Sequence, residues 1–289
     1  MSPTSTLPVD RLSALFERFR VHAHLFHAGA LCGVTHFDAQ EGRGFLHVLR
    51  RGEMVVTHRS RSGAPRKIKV SEPTLLFYPR PLEHQFHNAP TEGSDFVCAT
   101  VDFDGGVRHP VAAALPPVLV LPLRSVDGIE QTLALLFAET ERVRCGQRLL
   151  ADRLFEVLLL QLLRWLLDHP DHADVPVGLI YGLAHPKLAR ALTAMHERPG
   201  AAWALEPMAK AAGMSRSAFA AEFKLHLGVT PADYLLQWRV SLAQSMLLAG
   251  TSIKQASEKL GYASAASFSR AFVQSVGVSP RAWLQKRRG

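Results

Sequence analysis

Residues 261–280 of the chain are GYASAASFSRAFVQSVGVSP, and a closely similar phrase, GMSRSAFAAEFKLHLGVTP, occupies residues 213–231. In each copy a glycine precedes a serine that suits a helix N-cap, and two phenylalanines then follow four residues apart. Phenylalanines at that spacing share one helical face and are predicted to be core. A second glycine and a Thr-Pro or Ser-Pro pair close each copy. Each copy therefore predicts two short helices joined by a tight turn, the helix-turn-helix arrangement.

The segment between the two copies predicts a rigid connection. It runs PADYLLQWRVSLAQSMLLAG over residues 231–250 and has no Gly or Pro between its two ends, which is typical of one long helix. A short helix fits the major groove, and two of them about 34 Å apart contact successive grooves on one side of a duplex. The duplication favours binding to double-stranded DNA. The alternative is a duplicated helical bundle that touches no DNA.

Positive charge is concentrated in the same part of the chain. Residues 185–289 contain 14 Lys and Arg against 5 Asp and Glu, a net charge of +9. Residues 1–184 contain 19 basic against 20 acidic side chains, a net charge of −1. This asymmetry indicates a polyanionic partner for the C-terminal third alone.

Residues 185–288 resemble the DNA-binding domain of the AraC/XylS family of bacterial transcription regulators. The resemblance rests on KLGYASAASFSRAFVQSVGVSPRAWL (259–284) and on the connecting helix with Arg239. It implies promoter DNA as a partner and RNA polymerase as a second partner if the protein is an activator.

The candidate DNA contacts are the positions that face outward when the phenylalanines face inward. Arg270 is the best candidate for guanine recognition and Gln274 the second, while the alanines offer only a methyl contact to thymine. Arg216 and Lys224 suit phosphates, which position a protein without specifying sequence. A solvated surface arginine is the alternative for Arg270. The full set is Arg216, Ser217, Ala220, Ala221 and Lys224 on the first helix, and Ala266, Ser269, Arg270 and Gln274 on the second.

The N-terminal half shows a different periodicity. Between residues 45 and 104, short apolar runs alternate with turn residues, which predicts strands of an all-β sandwich or barrel. The segment PRPLEHQFHN (79–88) matches the second signature of cupin barrels, and LLFYPRPLEHQF (75–86) and FHAGALCG (26–33) resemble the cupin-like sensor domain in one branch of the same regulator family. The first cupin signature, in FLHVLRRGE (45–53), is degraded, which argues against the usual three-histidine enzyme site.

Four residues of this half fall on separate predicted strands or strand edges: Cys32, His47, His84 and Cys98. Inward side chains of a small barrel meet near its axis, and two thiolates with two imidazoles suit tetrahedral zinc. The set predicts a metal or redox site with zinc as its candidate cofactor. A Cys32–Cys98 disulfide and ordinary burial in the core are the alternatives. The resemblance extends to regulators that respond to reactive chlorine, and it implies Cys32 and Cys98 as their cysteine pair.

Residues 128–168 predict two helices, the second apolar on more than one face, so that one face covers the barrel and another suits a second copy of the chain. The alternative is a core helix of the single chain that covers the mouth of the barrel. The predicted fold is α+β and multidomain: a cupin-like β-barrel sensor (1–125), a helical dimerisation region and linker (126–184), and an all-α domain with two helix-turn-helix motifs (185–289). The chain shows no signal peptide or membrane span and only three cysteines, which favours a cytoplasmic location.

The predicted function is sequence-specific transcriptional regulation by a homodimer whose barrel senses an oxidant, a metal or a small molecule. The rival is a cupin metalloenzyme, oxygenase-like, fused to a DNA-binding domain. Such an enzyme needs an open coordination position, whereas a closed Cys/His set suits a structural or sensory role.

Overall fold

The computed structural model describes residues 9–89, 93–104, 109–173 and 177–288, and the chain divides into two compact units. The barrel unit is Arg20–Pro176, and the helical unit combines Met1–Phe19 with Val177–Gly289. The chain therefore passes from one unit to the other twice. The three-part division expected from the sequence differs from this grouping, which assigns residues 126–176 to the barrel unit and residues 9–19 and 177–184 to the helical unit.

The barrel unit contains two antiparallel sheets, which confirms the predicted β fold. One sheet has the strand order β1-β8-β3-β6-β9 and the other β2-β7-β4-β5. The strands are β1 (Val21–Leu31), β2 (Val34–Phe37), β3 (Arg43–Arg51), β4 (Met54–His58), β5 (Lys67–Val70), β6 (Thr74–Tyr78), β7 (His84–Asn88), β8 (Ser94–Phe103) and β9 (Leu119–Pro122).

The core of the barrel unit lies between the two sheets. Period-two alternation places every second residue of β4 and β7 inside, among them Val56 and Phe86. Phe45 of β3 and Phe96 of β8 face them from the other sheet and are almost fully buried. Burial of one such phenylalanine contributes about 2–3 kcal/mol to stability.

Helices α2 (Pro110–Ala114), α3 (Glu130–Thr140) and α4 (Gln147–Asp168) complete the barrel unit, and the last two confirm the helices predicted for residues 128–168. Helix α4 packs along β1. The pairing of β1 with β8 shifts register between Leu25 and His27. The carboxylate of Asp152 on α4 accepts a hydrogen bond of 2.7 Å from the backbone N–H of Leu25, next to that irregularity. Across the described part of the chain, no helix has both the length and the hydropathy required to cross a bilayer.

The helical unit contains α1 (Ser13–Phe16), α5 (Leu179–Ala184), α6 (Pro186–Glu197), α7 (Leu205–Ala212), α8 (Arg216–Leu227), α9 (Pro231–Leu248), α10 (Ile253–Lys259), α11 (Ala265–Val276) and α12 (Pro280–Arg288). The two copies of the repeated phrase form α7–α8 and α10–α11, and α9 connects them. This arrangement confirms the duplicated helix-turn-helix that the sequence predicts.

The caps of α8 and α11 form as their sequences predict. The Ser215 hydroxyl accepts a hydrogen bond from the Ala218 N–H, and Ser264 forms a capping box with Ser267. Gly228 and Gly277 end the helices in the left-handed conformation, with φ of 76° and 83°. The phenylalanines at 219, 223, 268 and 272 are fully buried, so the opposite faces of both helices are left to solvent.

The first described residues, 9–19, form part of the helical unit. Leu15 and Phe19 are buried, and the Phe19 ring meets the edge of Trp238 on α9 with 5.2 Å between centroids. The Arg18 guanidinium donates a 2.7 Å hydrogen bond to the carbonyl of Glu197 at the end of α6. The core of the helical unit thus includes residues from both ends of the sequence.

Candidate functional site

The first candidate site is the pair of outward faces on α8 and α11, which we call the reader faces. On α8 the side chains of Arg216, Ser217, Ala221 and Lys224 are exposed and Ala220 is half-buried. On α11 the side chains of Ala266, Arg270 and Gln274 are exposed and Ser269 is half-buried. All nine residues predicted to contact DNA are therefore exposed or half-buried, in contrast to the buried phenylalanines.

The cations on the reader faces are not neutralised by the protein. Among the described residues, Arg216, Lys224 and Arg270 form no salt bridge and no side-chain hydrogen bond. By contrast, Arg239 on α9 is half-buried and donates hydrogen bonds of 2.8 and 2.9 Å to the carbonyls of Pro199 and Ala201. Unpaired exposed cations on two helices suit a polyanion, whereas Arg239 has a structural role.

Helix α9 sets the spacing of the two reader faces. It has 18 residues and therefore spans about 27 Å along its axis. Trp238 and Leu235 are buried on its inner side. Arg239 also lies over the ring of Tyr262, 5.4 Å from its centroid, just after α10. The connecting helix is thus fixed to the turn of the second motif.

The second candidate site is a histidine pair inside the barrel. The Nε2 atoms of His47 on β3 and His84 on β7 are 3.0 Å apart, and both side chains are buried. Because the carbonyl of Leu82 can only accept, the His84 Nδ1–H donates to it at 2.9 Å. Neutral His84 then accepts at Nε2 from the Nε2–H of His47. This leaves Nδ1 of His47 as a buried acceptor that has no partner among the described residues.

Burial keeps both imidazoles neutral. It lowers the pKa of His84 to about 3, with a smaller opposing effect from the Leu82 carbonyl. Burial also lowers the pKa of His47 well below its ordinary value, and the neighbouring His84 adds to that effect. Phe37 and Tyr78 stack on the His84 ring, with 4.9 and 4.0 Å between centroids. The pair lies in an aromatic environment that strongly disfavours charge.

The structure does not bring the four predicted ligands together. Cys98 is buried on β8 directly opposite His47 of β3, but Cys32 is exposed beyond the end of β1. Cys98 also pairs with His27 of β1, five residues before Cys32, so about 16 Å of strand separates the two cysteines. A disulfide requires Cα atoms within about 7 Å. The predicted Cys32–Cys98 bridge does not fit this fold.

A zinc ion does not fit the four-residue set either. A catalytic zinc site has three protein ligands and a structural site four, but here only two imidazoles meet, and they are hydrogen-bonded to each other. Burial also raises the pKa of the Cys98 thiol well above its ordinary value, which disfavours the thiolate that binds metal. We derive no metal chemistry from these residues.

Sequence reasoning missed two groups of polar residues. His58 accepts a 3.0 Å hydrogen bond at Nε2 from the Tyr78 hydroxyl. It also lies beside His84, because β4 pairs with β7 at this position. His185, Glu222 and His226 meet in the helical unit. The spacing of Glu222 and His226, four residues apart on one helix, was the available signal for this second group.

Two family models match the chain. Residues 10–168 match a family described as "Cupin", and residues 208–286 match one described as "Helix-turn-helix domain". The first covers more than half of the chain.

Several known proteins are similar in sequence to half or more of this chain. The HTH-type transcriptional regulator AlkR of Acinetobacter baylyi is 32% identical over 188 residues, which is 63% of this chain and 60% of that protein. The RCS-specific HTH-type transcriptional activator RclR of Escherichia coli is 26% identical over 220 residues, 74% of this chain and 76% of that protein. The curated relatives at 32% identity are matched over little more than half of their own length.

A solved structure also resembles part of the chain. It is the DNA-binding domain of AdpA in complex with a target DNA, at 27% identity over 36% of this chain and 93% of that one, with a TM-score of 0.34.

Proposed function

Because the chain belongs to the cupin family through residues 10–168 and carries an AraC-type helix-turn-helix domain in residues 208–286, we propose that it is a sequence-specific, DNA-binding transcriptional regulator. The observation that carries this proposal is the pair of reader faces. Two helices with matched caps present unpaired Arg216, Lys224 and Arg270 to solvent, and α9 holds them at a fixed separation. Two such helices suit successive major grooves of one duplex.

The direct test is salt-dependent binding to duplex DNA. Purified full-length protein selects sequences from a random duplex pool, and its affinity for them is then measured at several salt concentrations. Each neutralised phosphate contributes about −0.9 to the slope of log K against log salt. We expect a slope that reports several phosphate contacts and a clear preference for the selected sequences. Failure to bind any duplex, with the fold intact, would refute the proposal.

Replacement of Arg270 by alanine is expected to relax specificity at one base pair. The exposed guanidinium is free for a bidentate contact to guanine, and its loss costs about 1–3 kcal/mol on the preferred sequence and much less on sequences that lack that base pair. Arg216→Ala is the matched control, since removal of a phosphate contact weakens binding equally on all sequences and lowers the salt slope by about 1. Equal losses on selected and random DNA for Arg270→Ala would contradict a base contact.

We also propose that the protein works as a homodimer through the outer face of α4. Leu149, Leu150, Val157 and Leu160 on this helix are 39–70% exposed, although its other side is buried against the barrel. An apolar stripe of this kind on a helix suits a second copy of the same stripe about a two-fold axis.

The double substitution Val157→Glu with Leu160→Glu is therefore expected to raise the dimer dissociation constant at least about 100-fold, because four carboxylates would face each other across the two-fold interface. Sedimentation velocity over a concentration series measures the change. Val143→Glu is the control, since Val143 is 94% exposed and lies outside the helix. A dimer that survives the double substitution would place the interface elsewhere.

For the signal, we propose that the barrel unit receives an effector or oxidant. An oxidant would react first at an exposed thiol, and Cys32 is the exposed cysteine of the β-strand region, whereas Cys98 is buried and protonated. The oxygenase alternative has less support. The two imidazoles at the barrel centre are bonded to each other, and the relatives are named as regulators.

A further inference from the structure

Two helices of the helical unit bring three metal-binding side chains together. His185 is the N-cap of α6, while Glu222 and His226 lie one turn apart on α8. One ligand atom from each residue lies within 4.8 Å of the others. In the described ranges of the chain, this is the one group of three or more His, Cys, Asp or Glu side chains that meets this condition.

The ring of His226 lies against Glu222, with its Nδ1 3.5 Å from the Glu222 carboxylate. Its Nδ1–H donates a 2.9 Å hydrogen bond to the backbone carbonyl of Glu222, which leaves the lone pair on Nε2. Metal-bound histidines commonly donate their second nitrogen to a carbonyl or carboxylate in this way. Tyr181 stacks on the same ring, with 5.5 Å between centroids, and holds its plane.

His185 completes the arrangement from the other side. Its ring meets that of His226 edge-on, with 4.8 Å between centroids. Burial, and then the nearby His226, lower the pKa of His185, so the imidazole is neutral near pH 7 and keeps a lone pair. Its Nδ1 accepts a 3.2 Å hydrogen bond from the N–H of Leu188, so a metal ion replaces only this long cap bond.

The donor set indicates the class of ion. Two imidazoles and one carboxylate are the ligands of many zinc sites, with bonds of about 2.0–2.2 Å and a fourth position open to water. A tetrahedral ion at that bond length requires ligand atoms about 3.4 Å apart. The ligand atoms here lie within 4.8 Å of one another, so small rotations of these half-buried side chains would close the site.

We propose that His185, Glu222 and His226 bind a divalent zinc-type cation that ties the first reader helix, α8, to the start of α6. The residues around the site already couple α8 to α5, the helix that precedes α6: the Gly178 N–H donates to the carbonyl of His226 at 2.9 Å, and Leu227 packs against Gly182 of α5. Bound metal would fix the orientation of α8. The expected effect of the metal on DNA affinity rests on the proposed function, but the binding of the metal does not.

The test uses full-length protein in a Cys32→Ser/Cys145→Ser background, which removes the two exposed thiols. After chelation and removal of the chelator, zinc is titrated by calorimetry, and cobalt is added as a probe whose visible d–d absorption reports tetrahedral coordination. We expect one site per chain, an increase in the thermal midpoint on zinc addition, and at least about tenfold weaker zinc binding in each of His185→Gln, Glu222→Gln and His226→Gln.

His22→Gln is the matched control. His22 also faces a glutamate, with its Nδ1 3.6 Å from Glu156, but it belongs to no three-residue group, so this variant should bind zinc as the parent does. Circular dichroism verifies that each variant keeps its helices. Unchanged zinc affinity in all three site variants, or no zinc binding by the folded parent at micromolar metal, would overturn the proposal. Neither outcome would alter salt-dependent DNA binding, so the two proposals fail separately.

Discussion

Replacement of Gly261 by alanine is expected to destabilise the helical unit by about 2–4 kcal/mol and to reduce DNA affinity at least about tenfold. Gly261 has φ of 74°, and a Cβ atom there would overlap the carbonyl oxygen of Gly200 and lie 2.8 Å from its carbonyl carbon. Backbone atoms have no alternative rotamer, so the turn between α10 and α11 must move away from the loop between α6 and α7. Urea unfolding and binding to a selected duplex measure the two effects.

Gly277→Ala separates backbone strain from this overlap. Gly277 has a similar φ of 83°, but nothing lies within 4 Å of the position of its Cβ. The control should lose only about 1 kcal/mol, the usual cost of a side chain in the left-handed region. If the two variants prove equally stable, the close approach of Gly200 and Gly261 does not hold the two motifs together.

Acidification from pH 6.5 to pH 5 is expected to destabilise the barrel unit by up to about 3 kcal/mol through His47 and His84 together. The folded pKa values of both lie below the unfolded value near 6.5, and that of His84 is about 3. Well above pH 6.5 both residues are neutral in the folded and the unfolded state, so their contribution to stability is fully present. As pH falls towards 3, the two histidines become protonated in the unfolded chain but stay neutral in the folded barrel. The free energy of unfolding then falls by about 1.4 kcal/mol per pH unit for each histidine. The neighbouring His27 lowers the pKa of His47 further, and His58 and His36 do the same for His84.

The double variant His47→Leu/His84→Leu should lose most of this pH dependence. The single variant His47→Leu should lower the free energy of unfolding by about 1–3 kcal/mol at pH 7.5, because it leaves Nε2 of His84 without a hydrogen-bond donor. Urea titrations at pH 7.5, 6.5 and 5 measure the stability of each variant. Hydrogen exchange of peptides from β3 and β7 reports the unfolding of the barrel unit separately from that of the helical unit. This separation matters because burial also lowers the pKa of His196 in the helical unit to about 3. The surface variant His22→Gln should retain the parental slope. An unchanged slope in the double variant would show that the pair titrates normally.

The helical unit could be predicted from the sequence because its signals are local. Ser215, Ser264, Gly228 and Gly277 act within one helical turn of the residues that they cap, and the duplication displays the same pattern twice. The candidate DNA contacts followed from the same periodicity, since buried phenylalanines on one face define the other.

The barrel site could not be predicted in this way because strand register is a non-local property. Cys32, His47, His84 and Cys98 were correctly assigned to separate strands or strand edges, but the offset that separates Cys32 from Cys98 depends on how β1 pairs with β8. The contribution of Phe19 to the helical unit could not be predicted either, because its partner Trp238 lies more than two hundred residues away in the sequence.

The double passage of the chain between its units affects how fragments of this protein should be designed. A fragment that begins at Val177 lacks Leu15, Phe19 and the Arg18 contact to Glu197, so it would leave an apolar notch beside Trp238 open to water. A stretch covering residues 9–19, joined to the fragment by a flexible tether or supplied as a separate peptide, would refill that notch. The helical unit is built from two separate segments of the chain, so truncation at a single boundary removes one segment of that unit.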